Sequence, residues 1–171
     1  MMSYPVLYLD FDGVLHHEEV WRHPKRGIYI PQHVAPGRTL FEWSFYLEQA
    51  LAPFPSVRIV LSTSWVCERS FNFARKQLTP VLQQRVVGAT FHRRLHIKRD
   101  FADMSRGMQI WSDVVRRCPS GWVALDDDTF GWPAWCRDKL VQCYGPAGLS
   151  DKLTRGALAR ALARIADPVP G

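Results

Sequence analysis

Three short apolar runs, each stopping at a polar residue with usable chemistry, constrain this chain more than any other feature. Val6-Leu7-Tyr8-Leu9 runs into Asp10-Phe11-Asp12-Gly13. Val57-Arg58-Ile59-Val60-Leu61, entered through the breakers Pro53 and Pro55, gives way to Ser62-Thr63-Ser64. Trp122-Val123-Ala124-Leu125 follows Gly121 and stops at Asp126-Asp127-Asp128. Apolar runs this short, bounded by turn residues, have the length of buried strands. Val86-Val87 and Leu140-Val141-Gln142-Cys143 are weaker strand candidates. Between the runs lie stretches of helical character, at about 38–51, 65–77, 105–117 and 151–166. Strands alternating with helices predict an α/β fold: a three-layer, Rossmann-like parallel sheet with helices on both faces, whose ligands bind beyond the carboxyl ends of the strands.

The 171 residues contain no repeat and no convincing linker, so we expect one domain over 1–171. Residues 13–37 break the alternation, because Val14-Leu15, His16-His17-Glu18-Glu19, Trp21 and Ile28-Tyr29-Ile30 are mixed with turn residues; a β-hairpin flap after the first strand is expected there. In the last helix Leu153, Ala157, Ala161, Leu162 and Ile165 form an apolar stripe, with Ser150 as the expected N-cap and Asp167-Pro168 as the stop. Charges or prolines interrupt every hydrophobic run before it reaches the roughly 18 residues of a membrane span, so no membrane partner is expected. The N-terminal residues have no basic stretch of the secretory kind, and a cytoplasmic location follows as an expectation. Cys67, Cys118, Cys136 and Cys143 form no CxxC pair and read as reduced, mostly buried thiols. A net charge of +6 biases the chain toward phosphates and other anions.

Polar residues at the ends of adjacent strands therefore carry the functional reading. Asp10 and Asp12 suit phosphoryl transfer once a turn at Gly13 brings both to one pocket: one carboxylate attacks phosphorus, and the other handles the proton of the leaving group. Neighbouring carboxylates repel, so a divalent cation is needed, and Asp126 and Asp127 can supply further oxygen ligands. Mg²⁺ prefers such a set. Ser62, with the N–H groups of a helix start behind it, can hold a phosphoryl oxygen. Arg106, after Ser105 at a helix start, is the first candidate for a charge-compensating cation, and Lys98 is the second.

These residues resemble the haloacid dehalogenase-like (HAD) superfamily, specifically its phosphatase branch. Leu9-Asp10-Phe11-Asp12-Gly13-Val14 is similar to the family's first motif, and the resemblance runs from about residue 6 to about 145. It implies that Asp10 is the nucleophile, Asp12 the general acid/base, Ser62 the second-motif hydroxyl, and Arg106 or Lys98 the third-motif cation. Asp126 and Asp127 would form the metal-binding fourth motif, with Asp10 and the backbone carbonyl of Asp12 completing the Mg²⁺ site. The spacing leaves little room for a cap domain, so the chain looks like a minimally capped member of the kind that accepts larger substrates, similar to the small HAD-like domains of RNA-repair proteins.

Other features read more plainly. His92 and His96 are four apart, but no further ligand set accompanies them. His16, His17 and His23 read as decoration of the flap, although one of them can reach the substrate. Phe130, Trp132 and Trp135, with Arg93-Arg94 and Lys98-Arg99, would suit a phosphorylated nucleotide or nucleic-acid end; taken separately, the rings read as packed under a loop and the charges as solvated. The resulting expectation is a Mg²⁺-dependent phosphatase working through an aspartyl-phosphate on a small molecule or nucleic-acid end, with protein partners unspecified. The alternative is a non-catalytic module that uses the same fold to bind nucleic acid or protein.

Overall fold

The computed structural model describes residues 3–167, so the expected stop at Pro168 lies outside the described residues. In chain order the elements are β1 (Val6–Leu9), β2 (Trp21–His23), β3 (Gly27–Tyr29), α1 (Ser44–Leu51), β4 (Arg58–Leu61), α2 (Ser64–Glu68), α3 (Phe71–Lys76), α4 (Pro80–Arg85), β5 (Val86–Ala89), α5 (Lys98–Asp103), α6 (Arg106–Arg117), β6 (Trp122–Asp126), β7 (Leu140–Gln142) and α7 (Lys152–Ile165). Short 3₁₀ turns cover Ala134–Lys139 and Gly148–Ser150.

Five strands form one parallel sheet in the order β5-β4-β1-β6-β7, which is the Rossmann-like architecture expected. The alternation of side chains along each strand divides the core into two layers. Leu7, Leu9, Ile59, Leu61, Val123 and Leu125 face a large layer that includes Leu47 and Leu51 of α1, Leu82 of α4, and Leu158 and Leu162 of α7. Val6, Tyr8, Val60, Trp122 and Ala124 face a smaller layer closed by Ile110 of α6, Trp132 and Cys136. Every side chain of β1 is fully buried, as expected for a central strand covered on both faces. The expected flap contains a two-stranded antiparallel hairpin, β2–β3, with Trp21 opposite Tyr29 and His23 opposite Gly27.

Several boundaries differ from the sequence expectation for local reasons. The helix expected from about 38 begins only at Ser44, because Phe41 takes a left-handed conformation (φ 60°). The stretch 65–77 is two helices: Arg69 leaves the helical region, and Ser70 starts α3 by accepting the Phe73 N–H at 3.0 Å. Thr79-Pro80, an N-cap followed by proline at the first helical position, opens α4, which the sequence reading missed along with α5. Asp151, not Ser150, caps α7, its Oδ2 accepting the Thr154 N–H at 2.8 Å. Leu153 faces solvent and Leu158 takes its place in the buried stripe. Of the four cysteines, Cys136 and Cys143 are buried, Cys67 is half-buried, Cys118 is exposed, and all are free thiols. Among the described residues no helix is long and apolar enough to cross a membrane.

Candidate active site

The sheet register assembles the site. Leu9 of β1 is aligned with Leu61 of β4 on one side and Leu125 of β6 on the other. The next residue along each strand is therefore Asp10, Ser62 and Asp126, and adjacent strands lie about 4.8 Å apart. Backbone bonds hold the row together: Ser62 N–H donates to Leu9 O at 2.8 Å, and Asp10 N–H to Leu125 O at 3.2 Å. All three residues have the strand parity of Tyr8, Val60 and Ala124, which faces α6. Arg106 is the first residue of α6, and its guanidinium meets this row. Arg106 Nε lies 3.3 Å from Asp126 Oδ2, Nη2 lies 3.8 Å from Asp10 Oδ1, and Nη1 donates to the Ser62 carbonyl. Ser105 fixes the start of α6 by accepting the Met108 N–H at 3.3 Å while its hydroxyl donates to Gly131 O at 2.8 Å.

Asp127 joins the row from the turn after β6. Single carboxylate oxygens of Asp10, Asp126 and Asp127 lie within 4.8 Å of one another. Burial, with the charge of Asp10 next, pushes Asp127 up to about 7; Glu18 adds to the shift. Asp126 is held well above the usual carboxylate range by burial and by Asp10, with Arg106 opposing. Asp10 is raised by burial, which the Arg106 charge partly offsets, and Asp12 adds repulsion. One guanidinium cannot balance three carboxylates, and the buried Asp126 Oδ2, although 3.3 Å from Arg106 Nε, accepts no hydrogen bond among the described residues. An oxygen-only, electron-rich cluster with an unsatisfied oxygen fits a hard divalent cation such as Mg²⁺. Asp10, Asp126 and Asp127 would hold it.

Gly13 makes room for this cluster. Its φ of +71° lies in the left-handed region, and a Cβ there would collide with the Asp127 carboxylate. Gly13→Ala is expected to cost roughly 1–2 kcal/mol in backbone strain alone. We expect the melting temperature to fall by about 3–6 °C, and Mg²⁺ to give less thermal stabilisation than in the parent chain, as read from melts with and without the ion.

Asp12 is committed elsewhere. Its Oδ1 accepts from Trp65 Nε1 at 2.8 Å and is bonded to His16 Nε2 at 3.0 Å, while Oδ2 meets Arg22 Nη2 at 3.0 Å. Burial alone would raise this carboxyl, but His16, Arg22 and Trp65 together hold it below its ordinary value. The Asp12 side chain is therefore no member of the three-carboxylate cluster, and its backbone carbonyl remains the group expected to reach the metal.

The buried hydroxyl of Ser62 has no hydrogen-bond partner among the described residues. The helix behind it is only five residues long, and Thr63, not Ser62, is its N-cap, accepting the Trp65 N–H at 3.4 Å. At this position the free hydroxyl, and not a helix terminus, is available to an incoming group. Lys98 is exposed and forms no ion pair with Asp10 or Asp126, so Arg106 is the cation the fold brings to the row. His92 and His96 are occupied in local bonds, with His92 N–H donating to His96 Nδ1 at 3.0 Å and His92 Nε2 lying 3.0 Å from Arg116.

His16, Arg22, Trp65 and Thr63 escaped the sequence reading of the site. His16 is fully buried, not a decoration of the flap: its Nδ1 accepts the Phe41 N–H at 3.1 Å, which leaves Nε2 to donate to Asp12. The Thr63 hydroxyl beside Asp10 works against the upward push of burial on that carboxyl. The one signal for His16 was a polar residue directly after the apolar pair Val14-Leu15; nothing local marked Arg22 or Trp65. Phe130 (84% exposed) and Trp135 (64% exposed) stand in solvent, whereas Trp132 is packed and its Nε1–H donates to Asp128 O at 2.8 Å. A cavity of about 480 Å³ lies away from the carboxylates, between α3 and β5, against Phe71 and Phe91.

Residues 6–153 match the family described as the HAD domain in Swiss Army Knife RNA repair proteins. The chain belongs to this family. No curated protein and no solved structure matches it. The match covers every residue of the row together with Arg106 and Asp127, and it ends at Leu153, within the first turn of α7. HAD domains generally use Mg²⁺, which agrees with the chemistry of the three-carboxylate cluster.

Proposed function

We propose that this HAD domain is a Mg²⁺-dependent phosphatase that removes a terminal phosphate from a nucleic-acid or nucleotide substrate. The observation that carries the reading is the in-register row of Asp10, Ser62 and Asp126 facing Arg106, with Asp127 completing a cluster that one hard cation would neutralise. A bound Mg²⁺ supplies the positive charge that lets a carboxylate approach an anionic phosphate.

Asp10 is the nucleophile. A carboxylate oxygen bonds to phosphorus as the bond from phosphorus to the leaving oxygen breaks, giving an aspartyl-phosphate and an alcohol. Asp12 gives the alcohol its proton. Oδ1 of Asp12 is taken by Trp65 and His16, so Oδ2, which faces Arg22, is the atom assigned to this proton. Water then attacks phosphorus and returns a proton to Asp12, and inorganic phosphate leaves with Asp10 restored. Arg106 and the unpartnered Ser62 hydroxyl face the charge that builds on the phosphoryl oxygens.

A binding module would have no use for three mutually repelling carboxylates, two of them buried and the third half-buried, which favours catalysis over the binding alternative. The test is phosphate release from 5′- and 3′-phosphorylated oligonucleotides and from small monoesters, in Mg²⁺ and in chelator. Release that requires Mg²⁺ is expected. Its absence across the whole panel, with oligonucleotide binding retained, would establish the binding module instead.

A further inference from the structure

Two cavities outside the carboxylate row share a wall. One, of about 290 Å³, is lined by Thr63, Ser64, Arg106 and Asp128 at the reaction end; the other, of about 450 Å³, by Arg22, Ile28 and Arg69 beside the hairpin. Glu68 and Lys98 line both, so the two form a groove that leaves the site between the β2–β3 hairpin and α2. Its cations are held in different ways. Arg22 is consumed, pairing with Glu68 at 2.7 Å and with Asp12 at 3.0 Å. Arg69 lies over the Phe73 ring, 4.9 Å from its centroid, and has no acidic partner among the described residues. Lys98, at the junction of the cavities, is exposed and forms no ion pair among the described residues. Glu68, the acidic residue in the wall, is already matched by Arg22, so the groove presents two unmatched positive charges beyond the reaction centre.

We propose that Lys98 and Arg69 form a second-phosphate subsite, which takes the internucleotide phosphodiester next to the terminal phosphate being removed. The inference rests on the phosphatase reading for what sits in the row, and on the groove alone for what sits outside it. Thr63, at the inner end, and Arg69, at the outer end, flank the five-residue α2 and stand six residues apart, roughly 9 Å at helical rise. A groove of that length has room beyond the terminal phosphate for the next phosphate of the same strand, which advances ~3.4 Å along the axis when stacked and further when extended. The two cations meet the backbone phosphate without reading sequence.

Lys98→Gln and Arg69→Gln alter surface side chains outside the row, so circular dichroism and melting temperature are expected to match the parent chain. On a short single-stranded oligonucleotide with a terminal phosphate, each variant is expected to raise KM about tenfold, with kcat nearly unchanged. Each should also lower the salt slope of binding by about 0.7. Hydrolysis of a nucleoside monophosphate or of para-nitrophenyl phosphate, which have no second phosphate, is expected to match the parent chain. A nucleoside 3′,5′-bisphosphate separates the sources: equal sensitivity to Lys98→Gln would assign the subsite to a free second phosphate and overturn the phosphodiester assignment. Equal losses on one-phosphate and two-phosphate substrates, or no loss on either, would overturn the subsite. Should the parent chain hydrolyse nothing, the phosphatase reading fails, and anisotropy of a labelled oligonucleotide decides the groove: unchanged affinity in both variants would sink it.

Discussion

Asp10→Asn is expected to abolish Mg²⁺-dependent phosphate release, with a loss of at least about a thousandfold, because an amide cannot form the acyl phosphate. The same substitution is expected to leave the metal-free protein at least as stable as the parent. Asp10 is buried beside Asp126 and Asp127, and its ionised form is disfavoured there, so an uncharged isostere removes repulsion without removing volume. Activity and stability should therefore move in opposite directions, which a variant that merely misfolds would not do. A parallel sign applies to pH. The folded-state value of Asp127 is raised to about 7, so the metal-free protein binds more protons than the unfolded chain between about pH 4 and 7. Stability is fully present below the lower value and is lost as pH rises through 7. Melts in chelator should be higher at pH 5 than at pH 8, and Mg²⁺ should narrow the difference. Retained phosphate release by Asp10→Asn would refute the proposed nucleophile.

Much of this fold was legible because its local signals agree. Val6–Leu9, Val57–Leu61 and Trp122–Leu125 are apolar, short and bounded by breakers, and each became a sheet strand within one residue of the expected ends. What the runs did not reveal is their order in space. That β1 lies between β4 and β6, with three leucines in register, is set by packing on both faces, and it turns three separate strand ends into one row. Helices of six residues such as α4 and α5 are too short for a periodic stripe to stand out, and tertiary contacts hold them.

The candidate site divides in the same way. Asp10, Ser62, Asp126 and Asp127 could be named from sequence because each follows directly on a buried strand. Arg22 and Trp65 could not, since they reach Asp12 only when the hairpin folds back and α2 packs beneath it, across 10 and 53 residues of chain. Choosing between Arg106 and Lys98 also needed the third dimension. Both stand at helix starts, yet α6 begins beneath the row, whereas Lys98 at the start of α5 opens onto the groove.

Arg106→Met is expected to destabilise the metal-free protein by about 3–5 kcal/mol at neutral pH, the cost of leaving buried charges without their partner. Arg106 is the one basic side chain paired with Asp10 and Asp126 among the described residues, and its side chain is only 16% exposed. Burial works against its charge, but Asp10 and Asp126 together hold the guanidinium protonated more firmly than usual. Without it the two carboxyls would be held still higher, and each raised carboxyl contributes stability that is present in acid and lost as pH rises. The deficit in melting temperature should therefore be largest near pH 8 and shrink toward pH 5. Mg²⁺ should restore part of it, because a divalent cation on the same carboxylates replaces the missing charge. Phosphate release should fall by about 10²–10³ at saturating Mg²⁺, since the ion compensates the carboxylates but does not replace a donor aimed at the phosphoryl oxygens. Arg106→Lys keeps the charge and loses the fork that reaches the Ser62 carbonyl, so it should fall between the two. A variant with unaltered stability across this pH range would show that the guanidinium does not balance the row, and would reopen the question of which cation serves it.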